Sequence, residues 1–148
     1  MIVEFKRMEA TDLATCTAAF IKVFNAEPWN DDWNNESANQ YLSDYYNTPN
    51  FLGVIAIEKG ELLGFIMGVQ RKWYSGDEYF IHEMCVDQSL QNKGIGKAML
   101  NYLEIQLKDK SVESMTLLTN RNIPAEQFYK NNGFEEIERL VFLYKEIK

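Results

Sequence analysis

Three sets of residues in this chain have types and spacings that could do chemistry. The first is Gln91-Asn92-Lys93-Gly94-Ile95-Gly96-Lys97. Gly94 and Gly96 lack a Cβ, so the backbone can approach a ligand closely and take unusual φ/ψ values. A near-continuous apolar run precedes this stretch and a helical pattern follows it. The first amides of that helix have no acceptors within it. With the positive end of the helix dipole they form an anion site suited to a pyrophosphate, and Lys93 and Lys97 add positive charge. A lone G-x-G also occurs in strand-to-helix turns for packing alone. The P-loop and dinucleotide patterns are both absent, which argues against a nucleotide-phosphate protein. The second set is His82 and Glu83, in the middle of the apolar run Tyr79 to Val86. Burying either without a partner is costly, so each is either paired or placed for function. Strand alternation sends neighbouring residues to opposite faces, so only one of the two is expected to face a substrate. Glu78 is a weaker candidate nearby. The third set joins Trp29, Asp31, Asp32, Trp33 and Glu36 with Tyr41, Tyr45 and Tyr46. Aromatic rings and carboxylates together suit a cationic amine. The competing reading is that Trp29 and Trp33 cap a helix pair and the acids are solvated. Trp73 and Tyr74 add further aromatic surface.

The elements that must position these residues can be read from periodicity. Ile2 to Arg7 alternates like a strand. Thr11 or Asp12 reads as a helix cap, and Leu13, Cys16, Phe20, Val23 and Phe24 predict an amphipathic helix over 12–25. Glu27-Pro28-Trp29 breaks it. Ala38, Tyr41, Leu42 and Tyr45 share a face of a second short helix, which ends at Thr48-Pro49-Asn50. Phe51 to Glu58 and Glu61 to Trp73 flank Lys59-Gly60, a hairpin signal. Ser75-Gly76-Asp77 turns the chain into Tyr79 to Val86, a central strand buried on both sides. Ile95, Ala98, Met99, Tyr102, Leu103 and Leu107 mark a long helix. Ser114 to Thr119 is strand-like, residues 123–132 are a short helix stopped at Asn132-Gly133, and Glu135 to Ile147 has strand character. The order β-α-α-β-β-β-α-β-α-β-β describes an α/β domain with a mixed sheet. Its first half is antiparallel, and a parallel pair lies in its second half.

Composition bounds the rest. The 148 residues fit one domain, 1–148. The net charge of −7 argues against nucleic acid, whose phosphates need a basic footprint, and tolerates a cationic substrate. With two cysteines, Cys16 and Cys85, and a single histidine, no Cys/His metal site can be assembled. Met1 to Met8 alternates and carries charge, unlike a signal peptide, and no apolar run nears the roughly 20 residues of a membrane span. A cytoplasmic protein with no membrane partner is expected, with a homodimer left open.

At the loop Gln91-x-x-Gly94-x-Gly96, following a buried strand and opening an amphipathic helix, the chain resembles the GNAT superfamily of N-acetyltransferases, whose motif [QR]-x-x-G-x-[GA] it matches fully. A second stretch, Asn122-Ile123-Pro124-Ala125-Glu126-Gln127-Phe128-Tyr129-Lys130-Asn131-Asn132-Gly133-Phe134, is similar to the family's N-x-x-A-x-x-F-Y-x-x-x-G-F. The likeness is strong over 79–134, while the first fifty residues share only element order. It implies acetyl-CoA as cofactor, with Met84, Cys85 and Val86 offering backbone groups to the pantetheine. It also implies pyrophosphate binding by Gln91, Asn92, Lys93, Gly94, Ile95 and Gly96, with Lys97 beside them, and Asn122 and Phe128 lining the cofactor further along. Tyr129, which alone would read as a core aromatic, matches the family's general acid for the leaving thiolate. Glu83 stands where many relatives carry an acid, and His82 suits a base by pKa. Glu83, His82 and a relay water all remain open as the base. The resemblance places the acceptor, a small-molecule amine, beside Trp29, Asp31 and Trp33. Rival readings are an acyl-CoA sensor of the same fold and an acetyltransferase acting on protein N-termini or lysines.

Overall fold

The computed structural model describes residues 2–148, so Met1, part of the N-terminal stretch read above, lies outside the described residues. The chain divides into two compact units, one running through Leu118 and the other spanning Thr119–Lys148.

In the first unit a five-stranded sheet has the order β1-β2-β3-β4-β5. The strands are β1 (Glu4–Arg7), β2 (Phe51–Glu58), β3 (Glu61–Arg71), β4 (Asp77–Val86) and β5 (Val112–Leu117). The first four pair antiparallel with their neighbours, and β4 pairs parallel with β5. Lys59 and Gly60, at φ 51° and 79°, close the β2–β3 hairpin with the left-handed pair that a tight turn between right-twisted strands demands. The mixed α/β class is as expected. The third strand stops at Arg71, which leaves Trp73 and Tyr74 exposed in the turn before β4.

The helices are placed by their apolar stripes. Helix α1 (Leu13–Phe24) buries Cys16, Thr17, Phe20 and Val23, and α2 (Asn35–Tyr46) buries Ala38 and Leu42. Asn34 starts α2 with a reciprocal cap. Its side chain accepts from the Ser37 amide at 2.7 Å, and its own amide donates to Ser37 Oγ at 3.1 Å. These two helices cover Ile55, Phe65, Met67 and Cys85. Both faces of β2 and β3 are buried, so the sheet needs a second cover, and α3 (Ile95–Lys108) supplies it with Ile95, Met99, Leu100, Leu103 and Leu107.

The second unit holds α4 (Pro124–Asn131), with Pro124 in its first turn, where a missing N–H costs nothing. Gly133, at φ 93°, ends it as expected. The expected strand character of Glu135–Ile147 is not realised: no strand forms there among the described residues. Leu140, Val141, Phe142, Leu143 and Tyr144 are instead 60–83% exposed. A strand exists only through a ladder partner. Composition carries the propensity of such a segment, but it does not specify a partner.

Candidate active site

The local conformation of β4 decides the site. Its ladder with β3 pairs Met67 with Glu83 and then Gly68 with Ile81, so His82 is the extra residue of a β-bulge. Gly68 permits this packing, because a Cβ there would lie 2.3 Å from the Tyr79 ring and 2.4 Å from the Phe80 carbonyl. The Tyr79 hydroxyl continues beneath it to donate to the Leu52 carbonyl at 2.6 Å. The bulge cancels the alternation expected for His82 and Glu83. Tyr41 and Tyr45, one turn apart on α2, contact Glu83 and His82 respectively, so both β4 residues face the same helix. Tyr41 Oη donates to Glu83 Oε2 at 3.3 Å, and the Tyr45 ring stacks on His82 at 4.1 Å. The expectation that only one of the pair could face this side was therefore wrong, and no residue type in the sequence announces the bulge.

The electrostatics separate the two candidates. Burial pushes the Glu83 carboxyl up to about 7, the Tyr41 hydrogen bond opposes that rise, and Asp31 adds to it. Such a group is ionised near neutrality yet ready to take a proton. His82 shifts the other way. Burial first, and Arg71 second, hold its imidazole below the usual histidine range, and its ring lies between Tyr45 and Phe80. That favours a neutral, packed ring. Glu78 is committed to Arg71 in an ion pair at 2.5 Å.

An aromatic wall stands over Glu83. Trp33 and Tyr41 lie 5.0 Å apart, both contact Phe20, and Tyr45 meets Tyr41 edge-on at 5.1 Å. Trp33 Nε1 donates to Asp31 Oδ2 at 3.0 Å, and Asn25 holds the Trp33 backbone through two bonds of 2.9 Å. Trp29 packs on Phe24 at 5.2 Å. The tryptophans therefore do cap the helices, and Trp33 also joins the wall through Tyr41, which bonds Glu83. Tyr41 and Tyr45 belong to this site although sequence reasoning gave neither a specific role. Their i, i+4 spacing was visible, but their partners on β4 were not.

The other end of β4 has an open edge. Pairing with β5 runs only as far as Ile81 opposite Leu117, whereas on its other side β4 stays paired with β3 out to Val86 opposite Gly64. Met84, Cys85 and Val86 thus lie beyond the β5 ladder. The Cys85 side chain is buried in the core, its thiol pushed up by burial, so Cys85 offers only its backbone here. The strand leads into a 3₁₀ turn over Gln88–Leu90, where Asp87 accepts from the Ser89 amide at 3.0 Å and pairs with Lys22 at 3.2 Å. Gln91 Nε2 ties the loop back to the Val86 carbonyl at 3.2 Å. Asn92 and Gly94 take φ 66° and 84°, and the first bond of α3 runs from the Ala98 amide to the Gly94 carbonyl at 3.0 Å. The amides of Ile95, Gly96 and Lys97 are therefore left without helical acceptors. Asn92, Lys93 and Lys97 are exposed around them. This is the donor set that a pyrophosphate would need, and the open β4 edge offers backbone to an extended amide-bearing arm, so the residues present fit coenzyme A.

In the second unit Asn122 takes φ 65° and its amide donates to Glu126 Oε1 at 2.7 Å, which fixes the entry to α4. Tyr129 contacts Phe128 at 5.4 Å and Phe134 at 5.5 Å, both edge-on. The Phe134 amide donates to the Tyr129 carbonyl at 3.1 Å. The spacing Phe128-Tyr129 to Gly133-Phe134 is thus that of a helix end folded back on its own tyrosine.

Residues 15–134 match the family model described as acetyltransferase (GNAT) family. The chain belongs to the GNAT family. Membership makes this GNAT chain an acyltransferase. It is 29% identical to a Bacillus subtilis (strain 168) protein called uncharacterized protein YdhI, over 69% of this chain and 71% of that one. It shares its fold with a possible acetyltransferase from Clostridium difficile 630, at TM-score 0.82 and 19% identity, with full coverage of both chains. It shares it also with the aminoglycoside N-acetyltransferase AAC(6')-Iy in complex with CoA, at TM-score 0.77 and 18% identity, over 99% of this GNAT chain and 96% of the other. No helix among its described residues is long and apolar enough to cross a membrane, and no group of three or more potential metal-ligating His, Cys, Asp and Glu residues occurs among them.

Proposed function

We propose that this GNAT chain transfers the acetyl group of acetyl-CoA to the primary amine of a small cationic acceptor. The observation that carries the reading is Glu83, a half-buried carboxyl bonded by Tyr41 under an aromatic wall, on the strand whose far end leads to the glycine-opened helix. The solved structure of an aminoglycoside N-acetyltransferase in complex with CoA supports the choice of cofactor and of a cationic amine.

Acetyl-CoA supplies the activated thioester. The amides at the start of α3, with Gln91, Asn92, Lys93, Gly94, Ile95, Gly96 and Lys97, hold its phosphates, and the β4 edge at Met84, Cys85 and Val86 pairs with the pantetheine. Asn122 and Phe128 are assigned to cofactor binding on the motif match alone. The acceptor ammonium sits against Trp29, Asp31 and Trp33, where ring faces and negative charge favour it. Glu83 takes one proton from the amine, freeing the lone pair that forms the C–N bond. As the C–S bond breaks, Tyr129 gives the departing sulfur its proton, and the second proton leaving the new amide nitrogen restores the Tyr129 hydroxyl through solvent. His82 shapes the acceptor side as a neutral ring. The proposal takes 1–148 as one acetyltransferase domain in the cytoplasm, and the buried free thiols of Cys16 and Cys85 agree with a reducing compartment. A homodimer belongs to the same reading, and the exposed apolar run 140–144 is a surface it could use.

Gly94→Val tests the phosphate site. No atom lies within 4 Å of a Cβ placed there, so the substitution costs backbone conformation and not space. A β-branched residue resists φ 84° by about 1–2 kcal/mol. The fold is expected to survive while calorimetry shows acetyl-CoA affinity down by about tenfold or more. Unchanged affinity would remove this loop from the cofactor site. Asp31→Lys with Asp32→Lys tests the acceptor side. The acceptor KM is expected to rise by about tenfold and the acetyl-CoA KM to stay within about twofold at physiological salt, because the acids are proposed to line the acceptor side and screening limits the reach of exposed charge. An unmoved acceptor KM would remove both acids from the acceptor site.

A further inference from the structure

Tyr41 makes more ring contacts than a wall residue needs, and its hydroxyl makes a bond that packing does not explain. Its ring meets Phe20 at 5.6 Å, Trp33 at 5.0 Å and Tyr45 at 5.1 Å. Three aromatic contacts from α1, the loop before α2 and α2 itself leave it little freedom to turn. The hydroxyl then donates across to Glu83 on β4. Among the described residues no cation forms an ion pair with Glu83. Its register partner on β3, Met67, is apolar, and its neighbours His82 and Cys85 are held neutral by burial. Asp31, from the loop before α2, works against the carboxylate charge. Among the described residues, the Tyr41 hydroxyl is thus the group acting on Glu83 that favours its anion.

We propose that Tyr41 is a positioning residue for the acceptor-side base: its clamped phenol donates a hydrogen bond that fixes the orientation of the Glu83 carboxylate. The inference rests on Glu83 being that base. It has a consequence that a purely structural tyrosine would lack. A donor to the charged form stabilises the anion, so removing it must raise the pH at which Glu83 ionises. The Tyr41 phenol is itself pushed upward, by burial first and by Glu83 second, so it stays protonated as a donor across the working range.

The test compares pH profiles of acceptor kcat/KM for the unsubstituted protein, Tyr41→Phe and Glu83→Gln. Phenylalanine keeps all three ring contacts. The acidic limb in Tyr41→Phe is expected to move to higher pH by about one unit, the size of one hydrogen bond to a charged group. Above the limb, activity should recover to within about threefold, and thermal stability should change little. Should Tyr41→Phe fold poorly, 3-fluorotyrosine at position 41 keeps the ring contacts, and its stronger donor should move the limb to lower pH. A limb that stays in place, or a fall that is equal at every pH, overturns the role of Tyr41 when Glu83→Gln has abolished the limb. A limb that survives in Glu83→Gln overturns the assignment of the base, and the role of Tyr41 with it.

Discussion

Glu83→Gln is expected to cut acceptor kcat/KM by about 10²- to 10⁴-fold, the range of a lost general base. The substitution keeps the shape of the side chain and removes only its capacity to take a proton. In the unsubstituted protein activity should fall as pH drops through about 7, where burial has raised the carboxyl. The sign follows from the role: the base works as the anion, so protonation below that pH abolishes it. In the glutamine variant the residual rate should lack this limb, while acetyl-CoA affinity stays near its original value. His82→Gln should keep the limb, because its imidazole is already held neutral by burial. A glutamine variant at position 83 with full activity, measured by initial rates across pH 5.5 to 9, would assign proton removal to solvent.

Tyr129→Phe is expected to lower kcat by about 10- to 10⁴-fold, again within or near the range of acid–base contributions. Phenylalanine keeps the edge contacts to Phe128 and Phe134 and deletes only the hydroxyl. The loss should appear in kcat and not in the acetyl-CoA KM, because the proton is needed as the C–S bond breaks and not for binding. It should also shrink with a thioester whose thiol is more acidic, since a better leaving group needs less protonation. Full turnover in Tyr129→Phe would give the role to water.

Much of this was legible in the residues, for particular reasons. The glycine-opened start of α3 was readable because Gly94 and Gly96 have a backbone meaning independent of context, and Gly94 does take a left-handed φ. The helix faces of α1 and α3 were readable from a 3.6-residue period. Tyr129 stood out only through its motif. What escaped was whatever depends on pairing. His82 and Glu83 share a side because β4 is bulged against Gly68, and a bulge is a property of two strands together. Tyr41 was visible as an aromatic on a helix face, but its bond to Glu83 joins residues 42 apart. The strand character of Glu135–Ile147 misled for the same reason, since propensity without a partner makes no ladder.

The most direct measurement is release of free CoA thiol from acetyl-CoA with a panel of amines, alongside calorimetry of acetyl-CoA alone. Acetyl-CoA is expected to bind by itself, and thiol release is expected only when an amine is present. Polycationic and monocationic amines should be fastest, with neutral and anionic ones slowest, and the acceptor should carry one new acetyl group on nitrogen by mass. Binding of acetyl-CoA without thiol release for any amine would make the chain an acyl-CoA-binding module and contradict transfer; a neutral or anionic amine as the fastest acceptor would contradict the cationic site.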